Sequence, residues 1–238
     1  MTQRDPSMNK PRTVRINCLV SQIIDIDVVN QTFTAQFTLS ATWEIDVLPT
    51  GWTLKNFKDK KIKESESKIE KSSIHSEDGK ILWSPRLTFR NKIDDFKDEE
   101  IWWDIVKRGN NDVWMIYNIR AIGVFQQQMK LHNFPVDSQQ LSIQLLSGWE
   151  EGHSEHSVCL EKDLKKDSLV KIGKMKDEYV LNDDDLNDVT FMEFNVSSTD
   201  KDESARGLSY PYVSISAILT RNPSYYLHTV WFPTFLFT

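Results

Sequence analysis

Val14, Ile16, Cys18 and Val20 alternate with Arg15, Asn17 and Leu19, and a second run spaces Phe33, Ala35, Phe37, Leu39, Ala41 and Trp43 two residues apart, with mostly Thr, Ser and Gln between them. A period of two puts one set of side chains on a core and the other toward water, the pattern of a half-buried antiparallel strand. Asp27 to Gln31, between the two runs, reads as the turn of a hairpin. Similar runs predict strands over 113–125, 139–147, 189–197 and 211–221, and in the last of these Val213, Ile215, Ala217 and Leu219 share one face. The polar stretch 197–209 reads as an exposed connection. Many strands, polar turns and little helical pattern predict an all-β sandwich without internal repeats.

Two segments depart from this pattern. Residues 55–80 carry dense charge of both signs and few apolar side chains, so they add nothing to a core and read as a solvated insertion loop. Residues 227–238 are almost wholly apolar, yet supply about half of the roughly 20 residues that span a bilayer. Composition leaves two readings for this tail, a shortened membrane span or a buried C-terminal strand. Residues 1–13, with no apolar stretch of the kind a secretory signal needs, read as a flexible N-terminal segment.

The 238 residues, 39% of them hydrophobic, suit one large core. The net charge of −6 repels phosphates, and no basic run lies beside stackable aromatics, so a nucleic-acid partner is excluded. Only Cys18 and Cys159 are present, and stability must come mainly from packing. No Ser/His/Asp signature, phosphate loop or zinc-hydrolase motif occurs, so catalysis is not supported and no cofactor is implied. Glu150, Glu151, His153, Glu155 and His156 hold metal-competent groups, but such a surface cluster is most simply a solvated loop, as is the acidic run Asp183 to Asp185. Asn30 and Asn195 begin glycosylation sequons, which matter only in a eukaryotic secretory context.

Four motifs occur in order along the chain: Asn30 followed by Trp43-Glu-Ile-Asp46; Trp83-Ser-Pro85-Arg86 with Asn91; Phe134-Pro135-Val136-Asp137-Ser138-Gln139; and Arg221-Asn-Pro223-Ser-Tyr225-Tyr226 with Pro233 beyond. Together they resemble the ligand-binding domain of pentameric ligand-gated ion channels, from about residue 14 to 235, and joint occurrence is far more specific than any one motif. The resemblance implies an immunoglobulin-like β-sandwich of about ten strands over 14–226, and makes 227–238 the beginning of a first transmembrane helix. It also implies a cell-membrane location with the domain extracellular or periplasmic. Two departures stand out: Arg86 replaces the usual acid, and Gln127 and Leu141 occupy the positions of the family's cysteine pair, as in bacterial-type members. A disulfide closing such a loop would constrain the unfolded chain by about 3 kcal/mol. Packing of Phe134 and Pro135 and polar contacts of Asp137 must hold the loop instead.

The same resemblance implies that neighbouring identical or homologous subunits bind a small agonist between them. Tyr210 and Tyr212 match the loop that closes over ligand, though they would equally cover a sheet edge. Trp149 matches the central aromatic, with an offset that would place Gly148 in the site and Trp149 in the core. Arg90 stands where amine-binding members carry an aromatic; it would hold a carboxylate in two hydrogen bonds, or pair with Asp94 or Asp95 in solvent. Thr38 matches the complementary face, to which Trp114 and Tyr117 would add. For gating, the resemblance implies Phe134, Pro135, Asp137 and Arg221, with Val28 where many relatives carry an acid. The competing expectation is a soluble pentameric binding protein of the same fold, against which the apolar tail argues.

Overall fold

In the computed structural model the alternating residues of the first two runs form one long hairpin, β1 (Arg12–Asp27) and β2 (Thr32–Ile45), paired from Val14↔Trp43 to Asp27↔Thr32. The structure describes residues 11–45, 62–63, 83–108, 112–150, 157–163, 169–171, 178–181, 189–199 and 208–236. Its further strands are β3 (Ile62–Lys63), β4 (Leu87–Phe89), β5 (Lys97–Arg108), β6 (Asp112–Gln126), β7 (Ser138–Ser147), β8 (Val158–Lys162), β9 (Leu169–Lys171), β10 (Tyr179–Leu181), β11 (Val189–Phe191), β12 (Glu193–Ser198) and β13 (Pro211–Arg221). They make two sheets. The larger runs β11-β9-β1-β2-β6-β5-β3 with β8 also on β1; the smaller runs β10-β13-β7-β4 with β12 on β13.

Alternation decides which side chains lie between the sheets. Ile16, Cys18, Phe37, Leu39 and Ala41 from the larger sheet and Leu145, Val213, Ile215 and Leu219 from the smaller are fully or almost fully buried there. Aromatic rings fill the widest part. Phe37 meets Phe89, Phe96 and Phe125 edge-on at centroid distances of 5.3, 5.3 and 5.6 Å. Gly123 lies under this cluster: a Cβ there would come within 2.7 Å of the Phe96 ring and 2.9 Å of the Phe125 ring. Trp43 anchors a second group, at 6.2 Å from Trp83 and 5.9 Å from Trp103. The sandwich expected from the pattern is the fold that forms.

The expected strands recur with small changes of boundary. The run 189–197 divides at Met192, itself buried, so that β11 joins the larger sheet and β12 the smaller. Among the described residues the count exceeds ten because several of the thirteen strands are only two or three residues long. Strand β5 is absent from the sequence reading, since KDEEIWWDIVKR hides its inward-facing Ile101, Trp103 and Ile105 among charges. The charged stretch 55–80 lies outside the described residues except for Ile62 and Lys63. Beyond β13 a helical run follows: α1 (Pro223–Tyr226), a π-helical turn Leu227–Trp231 and α2 (Phe232–Leu236). Its start is encoded locally, because Asn222 accepts a hydrogen bond from the Ser224 N–H and Pro223 brings a preset φ to the first turn. Among the described residues no helix is long and apolar enough to cross a membrane.

Neither cysteine is in a disulfide. Burial in β1 pushes the Cys18 thiol up to about 12, which removes the thiolate that reacts. A thiol reagent at about pH 8 should therefore label half-buried Cys159 in the folded protein and reach Cys18 only after denaturation; mass spectrometry showing rapid labelling of Cys18 would contradict the packing of β1.

Candidate functional site

One end of the sandwich is built from three connections that the chain brings together over long separations. The β1–β2 turn is organised by Asp27, whose carboxylate accepts hydrogen bonds from the Asn30 N–H at 2.9 Å, the Asn30 side-chain amide at 2.6 Å and the Val29 N–H at 3.0 Å. These bonds, those from Asn30 foremost, hold its pKa below the ordinary carboxylate value. Gln31, with φ at 58°, closes the turn and its side-chain oxygen accepts the Met129 N–H, while its carbonyl accepts the Gln127 N–H at 2.8 Å. Val28 packs against the core. The turn is thereby tied to the segment after β6.

That segment, 127–137, is the loop expected to be held by Phe134, Pro135 and Asp137. Its two ends are drawn together by glutamines. Gln127 accepts hydrogen bonds from the Ser142 hydroxyl at 2.6 Å and the Ser142 N–H at 3.2 Å, beside Leu141, so an amide spans the place of the family's cysteine pair. Gln139 exchanges hydrogen bonds with the Lys130 backbone at 2.8 and 3.2 Å and also donates to Asp137. Phe134 is half exposed and stacks outward on Tyr226 at 5.1 Å, next to a cis bond into Pro135.

Asp137 and Arg221 meet at this end. Arg221 Nε donates to Asp137 Oδ1 at 2.8 Å and the Arg221 N–H to the Asp137 carbonyl at 2.9 Å; both side chains are almost wholly buried. The guanidinium also donates to the Tyr226 hydroxyl at 2.7 Å and lies within 5.0–5.2 Å of the ring centroids of Phe134, Tyr179 and Tyr226. Burial opposes its charge, but Tyr179, Asp137 and Tyr226 outweigh this and raise its pKa. Tyr179 pairs with Arg221 across β10–β13.

Burial pushes the Tyr179 hydroxyl up to about 12, with Arg221 pulling the other way. A group that holds its proton more tightly folded than unfolded contributes stability below its unfolded pKa. That contribution is therefore lost as pH rises from 10.0 to about 12. Denaturation curves across this window should show a fall in stability that is smaller in Tyr179→Phe; equal falls in both would remove Tyr179 as its source.

The other candidate residues, Thr38 apart, lie at or beside the smaller sheet toward its opposite end. Tyr212 pairs with Leu146 on one side and Ser197 on the other, and Arg90 reaches over its ring at 5.0 Å. Of the two acids weighed as partners for Arg90, Asp95 lies 3.3 Å from Lys92. Trp149 follows β7, packs partly against the core, donates its indole N–H to the Ser84 carbonyl at 2.6 Å and carries the Arg86 guanidinium 4.2 Å above its ring. Tyr210 sits at the β12–β13 connection, where its N–H is accepted by the Thr199 hydroxyl at 2.9 Å. Thr38 occupies the outer face of the larger sheet, between Leu19 and Arg120. Within one subunit it is therefore apart from the others. Trp114 shares that outer face under Arg15, at 4.8 Å, whereas Tyr117 is turned inward against Trp103; residues an odd number apart on one strand face opposite ways.

Sequence reading missed Gln31, Gln127, Gln139, Tyr179 and Arg86 as organisers, and took Asn91 only as part of a motif. The Asn91 amide donates to the Gln126 and Ser142 carbonyls at 3.0 and 2.8 Å and accepts the Gln144 N–H at 3.0 Å, joining the two sheets. The cluster around His153 and His156 lies outside the described residues, among which no group of three or more His, Cys, Asp or Glu could hold a metal.

The two-sheet sandwich thus places a buried carboxylate–guanidinium pair at the start of the helical run that follows β13. A family model described as the neurotransmitter-gated ion-channel ligand binding domain matches residues 2–223, and the chain belongs to that family. Its members are non-enzymatic receptor domains, the extracellular parts of oligomeric membrane channels.

Proposed function

We propose that this domain is the agonist sensor of a pentameric ligand-gated channel. A small agonist is held between neighbouring copies, with Arg90, Trp149, Tyr210 and Tyr212 contributed by one subunit and Thr38 by the next. Residues 14–226 form the sensor, and the exposed apolar residues Leu227, Trp231, Phe232 and Phe235 begin the first membrane helix, with the sensor outside the cell or in the periplasm. The observation that supports this reading most is that β7 and β13 reach from one candidate region to the other. Their pairing is unbroken from Tyr212↔Leu146 to Thr220↔Ser138, with Trp149 just beyond one end and Asp137 and Arg221 at the other, roughly 30 Å away at the rise of an extended strand. Displacement of the ligand end is carried as a rigid ribbon to the pair beside the helix.

The test is electrical. In a full-length channel carrying this domain, Asp137→Asn, which keeps the shape and removes the charge, should abolish agonist-evoked current while agonist still binds. Unchanged currents would overturn the coupling role.

A further inference from the structure

Two exposed cations already lie on two aromatic rings, Arg86 on Trp149 and Arg90 on Tyr212. We propose that Arg86 is a built-in cation that occupies the ring face of Trp149, so that the site selects a small carboxylate and excludes a free ammonium ion. This rests on the reading above, in which Trp149 and Tyr212 belong to the agonist site.

The ring has little freedom to offer another face. One side packs toward the core, and the indole N–H is committed to the Ser84 carbonyl. Arg86 is placed by backbone geometry. Its φ is 49°, a left-handed value uncommon outside glycine, asparagine and aspartate, and its carbonyl accepts the Gly148 N–H at 3.0 Å. Gly148 allows this close approach, because a Cβ there would sit 3.0 Å from the Arg86 Cβ. Next to it, the Ser147 hydroxyl donates to the Pro85 carbonyl at 3.0 Å and accepts the Trp149 N–H at 3.2 Å, joining the segment before Arg86 to the one that carries the ring. The turn and the end of β7 therefore hold the guanidinium against the indole.

Stacking uses the flat face of a guanidinium and leaves its edge donors for an acceptor in the plane, where a carboxylate binds in a fork. Arg86 is exposed, and no carboxylate pairs with it among the described residues. Arg90, also exposed, lies over the neighbouring Tyr212 ring at 5.0 Å. An ammonium ion approaching Trp149 meets an occupied ring face and a like charge; a carboxylate meets donors.

The 238-residue protein is titrated with sodium butyrate and with tetramethylammonium chloride at matched ionic strength, binding being read by ligand-observed NMR. Wild type should bind butyrate and not tetramethylammonium. Arg86→Asn, whose side chain accepts the left-handed backbone, should weaken butyrate and gain tetramethylammonium binding by about tenfold or more as the indole face opens. Arg86→Gly, free of backbone strain, serves as the second variant. Tighter binding of tetramethylammonium than of butyrate by wild type, or unchanged tetramethylammonium affinity in the folded variants, overturns the proposal. If tetramethylammonium binds wild type and Tyr212→Ala abolishes it, the site reading stands and this proposal fails. If neither ion binds any form, or butyrate binding survives Arg86→Asn, Arg90→Ala and Tyr212→Ala alike, both fail.

Discussion

Asp137→Ala should lower the unfolding free energy of the domain by about 3–5 kcal/mol, because it leaves the Arg221 guanidinium buried without its carboxylate. The magnitude follows from the environment: both side chains are about 97% removed from solvent, so water screens neither charge. Rings lie on several sides of the guanidinium, and the Tyr226 hydroxyl is a weaker acceptor than the lost oxygen. Arg221→Ala should cost as much for the converse reason, leaving the acid with the Gln139 amide as its hydrogen-bond donor. Removing both charges with apolar residues of similar volume, as in Asp137→Leu with Arg221→Met, should recover much of the loss, since the cost lies in the unpaired charge. Urea denaturation decides the matter: single variants within about 0.5 kcal/mol of wild type would mean the pair is solvated. Strong destabilisation by single changes and recovery by the double change would show that the pair is kept for a purpose other than stability, in line with the proposed gating role.

Phe37→Ala should cost about 3–5 kcal/mol, the range for emptying a phenylalanine site that cannot collapse. Phe37 is fully buried and three other rings lean on it from both sheets. The loss would be a large part of the 5–15 kcal/mol of a typical domain. It should also reach the candidate ligand face, because Phe89 stacks on Phe37 and is the residue immediately before Arg90. Loosening that ring frees the end of β4. Phe37→Leu keeps most of the volume and should cost less than half as much; calorimetry showing the two variants equal would mean that ring packing is not what holds this region.

Much of the architecture was legible in single residues. Period-two alternation in β1, β2, β6, β7 and β13 can be buried on one side only by a second sheet, which commits the chain to a sandwich before any contact is known. Asn222 and Pro223 are read only as part of a junction motif, and the ordered motifs carried the family, including the positions of Asp137 and Arg221. The loop's internal ties were less legible, because Gln127 and Gln139 look like any two polar residues in a run of glutamines until Ser142 and Lys130 are placed beside them.

What the sequence by itself determined is therefore the set of elements whose cause is local: strands from alternation, the cap from Asn222 and Pro223, the turn from Asp27 and Asn30. What only the tertiary structure decided is everything whose cause lies far along the chain. Charged β5 becomes a strand because β6 offers it a ladder, and 189–197 divides because Met192 finds a place in the core. Arg221 becomes a buried cation because Asp137, 84 residues earlier, is folded against it. Arg86, an exposed arginine by any local rule, acquires its ring because Gly148 at the end of another strand lets the two backbones touch. Periodicity records what a residue needs buried, and only the packed fold supplies its partner.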